Sequence, residues 1–184
     1  FDRLSRQNLL LYPATVNHDR DKNQRGFAKI LDPESVGGHT IVFCGNINSR
    51  AYAEETSKIL TDKQVKHVFL GHIPHHVLRC LYLMSRGILL YSKLDFSPRA
   101  ICEGVWAGLP YVTHESVAMP ERLRQFGHFC HDKDPVDFNE QVFKITSFND
   151  HIRIHEYCKK NLTLFDNYSK IINDINNEYK NLYV

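Results

Sequence analysis

The sequence predicts an α/β fold, a doubly wound parallel sheet of about six strands with helices at its C-terminal end. Three observations lead there. Short, continuous apolar runs recur along the chain, and such runs suit strands buried on both faces. Amphipathic or polar stretches of helical length separate them, so strand and helix alternate. Gly, Pro, Asn or Asp punctuates most junctions.

The elements follow in order. Leu9-Leu10-Leu11-Tyr12 reads as the first strand, and Lys22 to Leu31 as a helix with Phe27, Ile30 and Leu31 at helical spacing. Thr40 to Cys44 is the second strand, ended by Gly45-Asn46, and Ala51 to Leu60 the next helix. His67 to Leu70 is the third strand, ended by Gly71. Pro74 to Met84 is a helix with Leu78, Leu81 and Tyr82 on one face. Ile88 to Tyr91 is the fourth strand. Ser97 suits the N-cap of the helix that follows, and Pro98 its first position, where the missing N–H is no loss. Gly108 and Pro110 close that helix. Tyr111 to Thr113 is a fifth strand and His128 to Cys130 a short sixth. From Val136 to Val184 the pattern is mainly helical, with Phe165, Tyr168 and Tyr179 as a packing stripe and Ile171 to Lys180 as a solvated amphipathic helix.

Composition bounds the function. The chain has 184 residues, 42% of them hydrophobic, enough for one domain with a real core. The formal net charge is only +2 with both signs interspersed, which argues against nucleic acid as a partner. No apolar stretch approaches the roughly 20 residues of a membrane span, and no secretory leader is visible. The expected location is cytoplasmic, or peripheral at the membrane through a half that this chain lacks. The chain opens on Phe1 rather than Met, as expected of a piece of something longer. Cys44, Cys80, Cys102, Cys130 and Cys158 are an odd number and unclustered, so buried reduced thiols are expected.

Ligands of parallel sheets bind beyond the carboxyl ends of the strands. Residues 13–22, 45–50, 71–74, 92–98 and 114–120 are therefore the candidate loops. One stretch there carries chemistry. Asp95 follows the fourth strand, a capped loop comes next, and Glu103 stands eight positions on, one to two turns inside the helix. The N–H groups at a helix start attract an anion, most simply phosphate. One acid can hold a sugar hydroxyl and the other a ribose, with a diphosphate between them.

At these residues the chain resembles the C-terminal, donor-binding half of the GT-B glycosyltransferases, specifically the group 1, family four retaining enzymes. That family has two acids separated by seven residues, then small residues, Gly, Pro and a Val pair. Here the stretch is Asp95, seven residues, Glu103, then Gly104-Val105-Trp106-Ala107-Gly108-Leu109-Pro110-Tyr111-Val112. The likeness extends to Lys22-Asn23-Gln24 after the first strand and to His67-Val68-Phe69-Leu70-Gly71-His72-Ile73-Pro74 before the nucleobase loop. It also takes in Met119-Pro120-Glu121, Phe126-Gly127-His128-Phe129 and Asp134-Pro135, in order from about residue 8 to 145.

The resemblance implies a Rossmann-like domain over residues 1–184, one half of a GT-B fold, whose N-terminal acceptor domain is absent from this chain. It implies transfer of a sugar from a UDP-, GDP- or ADP-linked donor to an acceptor hydroxyl, with retention, without metal or cofactor. Lys22 would neutralise the diphosphate, Asp95 hold the donor sugar and Glu103 the ribose. Around them, Asn17, Arg20, Phe96, Ser97, Pro98 and Arg99 would line the phosphate and sugar. His72 and Ile73 would sit by the base. Partners implied are the N-terminal domain and an acceptor glycan or lipid-linked sugar. Alone, the domain is expected to turn over weakly or not at all. Three departures from the family are visible. Asp95 stands for Glu, Phe96-Ser97-Pro98 replace a glycine-rich loop, and Asn17 occupies the place of a Gly-Arg pair, with Arg20 the nearest arginine.

A non-catalytic sugar-nucleotide-binding module, or a GT-B epimerase or phosphorylase, shares these features. His67, His72, His75 and His76 suggest a metal, but no zinc-type Cys or carboxylate pattern accompanies them. Cys102 has no partnered base to make it a nucleophile. Trp106 reads as core before donor-site wall.

Overall fold

Every apolar run singled out above is a strand. The computed structural model describes residues 6–17, 22–131 and 134–162. Strands β1 (Leu9–Tyr12), β2 (Thr40–Cys44), β3 (His67–Gly71), β4 (Gly87–Leu90), β5 (Tyr111–His114) and β6 (Gly127–Cys130) are linked by helices α1 (Gln24–Ile30), α2 (Arg50–Asp62), α3 (His75–Met84), α4 (Arg99–Trp106) and the short α5 (Glu121–Arg124). Helices α6 (Pro135–Thr146) and α7 (His151–Asn161) follow. All pairings are parallel, in the order β3-β2-β1-β4-β5-β6. The chain therefore winds outward from β1 in one direction, then returns and winds the other way from β4. Adjacent β1 and β4 form the topological switch point, where a crevice opens at the strands' carboxyl ends.

Neighbouring residues of a strand face opposite ways, which assigns the layers. A Cβ on Gly87 would lie 2.9 Å from Ile145 of α6, whereas the next residue, Ile88, sends its Cδ1 to within 1.9 Å of where a Gly104 Cβ of α4 would stand. So α6 covers one face, together with α1 and α2, and α4 covers the other, beside α3 and α7. A train of rings fills the first layer. Tyr12 stacks on Phe43 at 5.3 Å, Phe43 on Phe69 at 4.3 Å, and Phe27 meets Phe138 edge-on at 5.7 Å.

Caps explain several boundaries. Ser49 accepts the Tyr52 N–H at 3.3 Å, and Asp134 accepts those of Val136 and Asp137 at 3.0 Å. Gly108, at φ 87°, ends α4 with a Schellman pair, the N–H of Gly108 to Val105 O and that of Leu109 to Gly104 O, both 2.9 Å. Arg6 ties off two helices together, donating to Tyr82 O, Ser85 O and Ala107 O at 3.1, 2.8 and 2.9 Å.

Four expectations change. Ser97 is not the cap of α4. Pro98 holds that place without a capping side chain, because ψ 57° keeps it out of the helix, which starts at Arg99. Helix α1 begins at Gln24 rather than Lys22, because Asn23 is left-handed. Edge strand β3 is covered on one face only, leaving Val68 and Leu70 exposed. Cys80 is exposed on α3, whereas Cys44, Cys130 and Cys158 are buried and Cys102 partly so; all are free. A 3-10 turn at Pro33–Val36 and the four-residue α5 were not read from the sequence. Arg20 and the stretch from 163 to 184, with Phe165, Tyr168 and Tyr179, lie outside the described residues. Among the described residues no helix is long and apolar enough to cross a membrane.

Candidate functional site

The switch point brings two loops together. The loop after β1 delivers Lys22, and the loop after β4 delivers Asp95. Lys22 Nζ lies 2.5 Å from Asp95 Oδ2, the side chains 25% and 13% exposed. Asp95 is fixed through its backbone, whose carbonyl accepts the Ala118 N–H at 3.0 Å in a bridge to Val117. Its second carboxylate oxygen accepts the Ser97 N–H at 3.1 Å. Lys22 is held by its own carbonyl, which accepts the Tyr12 hydroxyl, and by the turn at Asn23 that follows. The neighbouring loops are cross-linked as well. Val16 donates to Asn46 O at 2.7 Å, and Gly45 donates to Gly71 O at 2.9 Å.

Glu103 lies in the second turn of α4, on the same carboxyl-end side. It meets His75, the first residue of α3, with Nε2 to Oε2 at 3.2 Å. Both carboxylates act on the Cys102 thiol. Burial first, then Glu103 and Asp95, push it up to about 12, so it stays protonated and is no nucleophile. The buried Tyr82 phenol is also raised, by burial and secondarily by Glu103. Trp106 turns away from this cleft and meets the His155 ring of α7 at 6.4 Å.

Of the other predicted residues that are described, Ser97 touches Asp95 through its N–H, and the rest lie in the neighbouring loops and the first turn of α4. Asn17 is half-buried beside the Val16–Ile47 bridge. His72 is exposed and Ile73 half-buried in the loop between β3 and α3. Phe96 is half-buried, Ser97 and Arg99 are exposed, and Pro98 is buried. The amides expected around residues 97–99 are already in use. The Ser97 N–H is on Asp95, the Arg99 N–H is on Ser97 O at 2.7 Å, and Pro98 has none. The helix-start amides left for an anion belong to the first turn of α4 at Ala100 and Ile101, where a helix supplies no acceptor of its own.

Among the described residues no three His, Cys, Asp or Glu side chains converge to hold a metal. His67 is occupied at both nitrogens, by Val65 O at 2.8 Å and Ser57 Oγ at 2.7 Å. Two residues at the site were not assigned to it from the sequence. From the sequence His75 suggests only a metal ligand, because its partner depends on α3 lying beside α4. Tyr12 read only as strand; its one signal was a phenol at the inner end of an otherwise aliphatic run.

No protein-family model matches the chain, and no curated protein matches it. Solved structures do. WaaG, a glycosyltransferase involved in lipopolysaccharide biosynthesis, superposes with a TM-score of 0.69 at 16% identity, over 92% of this chain and 46% of that one. A TarM mutant from S. aureus, in complex with fondaparinux, α-GlcNAc-glycerol and UDP, gives 0.70 at 10%, over 95% and 36%. The chain has the fold of a GT-B glycosyltransferase domain. The catalytic domain of cholesterol-α-glucosyltransferase from Helicobacter pylori matches at 0.63 and 13% identity, over 84% of this chain and 96% of that one. This GT-B domain spans about half or less of WaaG and TarM, and identities this low speak for the fold alone.

Proposed function

We propose that this domain binds a nucleoside-diphosphate sugar and, joined to an N-terminal half, transfers the sugar to an acceptor hydroxyl with retention. The carrying observation is the Lys22–Asp95 pair at the switch point, beside the first turn of α4, with Glu103 farther along the same helix. A diphosphate arriving there takes the ammonium from Asp95. The freed carboxylate then accepts hydroxyls of the donor sugar. Glu103, steadied by His75, accepts the ribose hydroxyls. In the reaction the bond from the anomeric carbon to the diphosphate breaks, the acceptor oxygen bonds to that carbon from the same face, and the acceptor's hydroxyl proton passes to the departing diphosphate oxygen. Lys22 and the α4 N-terminus stabilise the departing charge, which is the largest electrostatic demand of the step. UDP in the TarM complex supports the nucleotide part of this reading. The same reading requires no cofactor and no metal, and puts a glycan or lipid-linked sugar in the acceptor role at the cytoplasmic side.

Calorimetry with UDP, GDP and ADP tests the proposal. One of them should bind, and Glu103→Ala should weaken it roughly tenfold or more, as loss of a charge-assisted hydrogen bond does. Silence with all three, or unaltered affinity in the Glu103 variant, refutes it. Joined to its N-terminal half, the domain should transfer sugar in the presence of a chelator. Release of free epimerised sugar nucleotide or of sugar phosphate in place of a glycoside would point to different GT-B chemistry.

A further inference from the structure

We propose that Tyr12 is the positioning residue of Lys22: its buried hydroxyl fastens the lysine's backbone to the end of β4 and so sets the ammonium against Asp95. The Tyr12 side chain is wholly buried, stacked on Phe43 at 5.3 Å and edge-on to Phe27 at 5.2 Å. Phenylalanine would satisfy that packing. A hydroxyl in such a place is unfavourable unless it is bonded. This one donates to the Lys22 carbonyl and accepts the Tyr91 N–H at 3.0 Å. Tyr91 directly follows β4, four residues before Asp95. One oxygen atom thus joins the chain that carries the lysine to the chain that carries the acid, across the switch point itself.

The ion pair cannot set this geometry alone. A partly exposed Lys–Asp pair is worth little, and four rotatable bonds separate the ammonium from its backbone. The lysine's direction is therefore decided where its backbone is held. Tyr12 holds its carbonyl, and the residues that follow restrain the same peptide, Asn23 being left-handed while the Gln24 side chain donates to Thr15 O at 2.9 Å. Burial raises the phenol's pKa well above its ordinary value, so the donor persists at every working pH.

The link to the diphosphate rests on the function proposed above; the link from Tyr12 to Lys22 does not, and the experiment separates them. In the full chain without nucleotide, acylation of Lys22 by an amine-reactive ester is followed by peptide mass spectrometry, with exposed Lys58 and Lys93 as internal standards. Tyr12→Phe should raise the Lys22 rate about threefold, toward that of Asp95→Asn, as expected when a weak surface pair is released. Replacing Tyr12 with p-aminophenylalanine, which keeps a donor at the same point, should restore protection. Tyr111→Phe is the control, because it also deletes a buried hydroxyl bond, to Leu123 O at 3.2 Å, at another place in the core. It should lower thermal stability and leave the Lys22 rate alone. UDP affinity is then measured in a double-mutant cycle. Tyr12→Phe should weaken binding in the native background and add nothing to Lys22→Met. A Lys22 rate that matches wild type in the Phe variant, or is equally raised in both replacements, overturns the inference. So does equal weakening of UDP in both backgrounds. If the wild-type chain binds no nucleotide, the proposed function falls, while the acylation rates still decide the role of Tyr12.

Discussion

Asn23 carries the tightest backbone demand near the site. Its φ of 49° and ψ of 38° are left-handed, a region that Asn and Gly tolerate and β-branched residues do not. The turn follows directly on Lys22, whose carbonyl is bonded by Tyr12 of β1. Asn23→Gly should leave stability nearly unchanged, whereas Asn23→Val should lose about 1–3 kcal/mol in urea denaturation, the usual strain of a forced backbone. Thiol chemistry separates residues in the same way. Cys80 is exposed and Cys102 is held near 12 by burial and two carboxylates. Iodoacetamide at neutral pH should therefore label Cys80 first and leave Cys102 unmodified. Early labelling of Cys102 would contradict the described surroundings of Glu103.

At the scale of the element, α4 is the part that matters most. It carries Glu103, offers its first turn toward the switch point, and lies close on β4. That closeness depends on Gly104, where a Cβ would fall 1.9 Å from Ile88 Cδ1 and 3.3 Å from Tyr82 Cδ1. Gly104→Ala should raise helix propensity yet destabilise the protein by about 1–3 kcal/mol through overpacking. It should also weaken nucleotide binding, since displacing the helix carries Glu103 away from His75. A variant of native stability and native affinity would show that α4 has room to shift. The other end of α4 is closed by Arg6. Its guanidinium, lowered to about 10 by burial and by Arg86, caps the final carbonyls of α3 and α4 together. Arg6→Ala should lower stability by about 2 kcal/mol through the carbonyls it leaves unpaired.

Across the whole molecule, His151 joins the helical C-terminal part to the turn between α4 and β5. Its Nδ1–H donates to Gly108 O at 2.9 Å, so α7 docks where α4 ends. Burial first, then Arg6, lowers its pKa from 6.5 to about 4. The folded protein therefore holds a neutral ring where the unfolded chain would take a proton. Between pH 6.5 and about 4 the unfolded state binds more protons, and stability must fall as pH falls through that window. Denaturation midpoints should decline over this range in the native protein, and the decline should shrink in His151→Gln. An unchanged slope in the variant would assign the acid sensitivity elsewhere.

The sheet itself was legible from the residues. All six strands, their alternation with helices and the close of α4 at Gly108 follow from local periodicity and turn chemistry, which report on neighbours in the chain. The sequence also singles out Asp95 and Glu103 by their spacing, and Lys22 through the resemblance. Their partners were not. Lys22 meets Asp95 across 73 positions and His75 meets Glu103 across 28, and only the order of strands and the adjacency of α3 and α4 bring them together. The start of α4 lies one residue later than the sequence predicts, because a side chain from outside the helix, Asp95, takes the Ser97 N–H and Pro98, at ψ 57°, stays out of the helix. The task of Tyr12 was invisible for the same reason. A phenol in a buried strand looks like any aromatic until the structure shows which backbone groups its oxygen satisfies. Sequence by itself determined which segments are strands and helices and which residues carry charge, since both are local properties. Tertiary structure alone decided which charges face each other, because hydrogen-bond partners and packing neighbours are chosen across the fold.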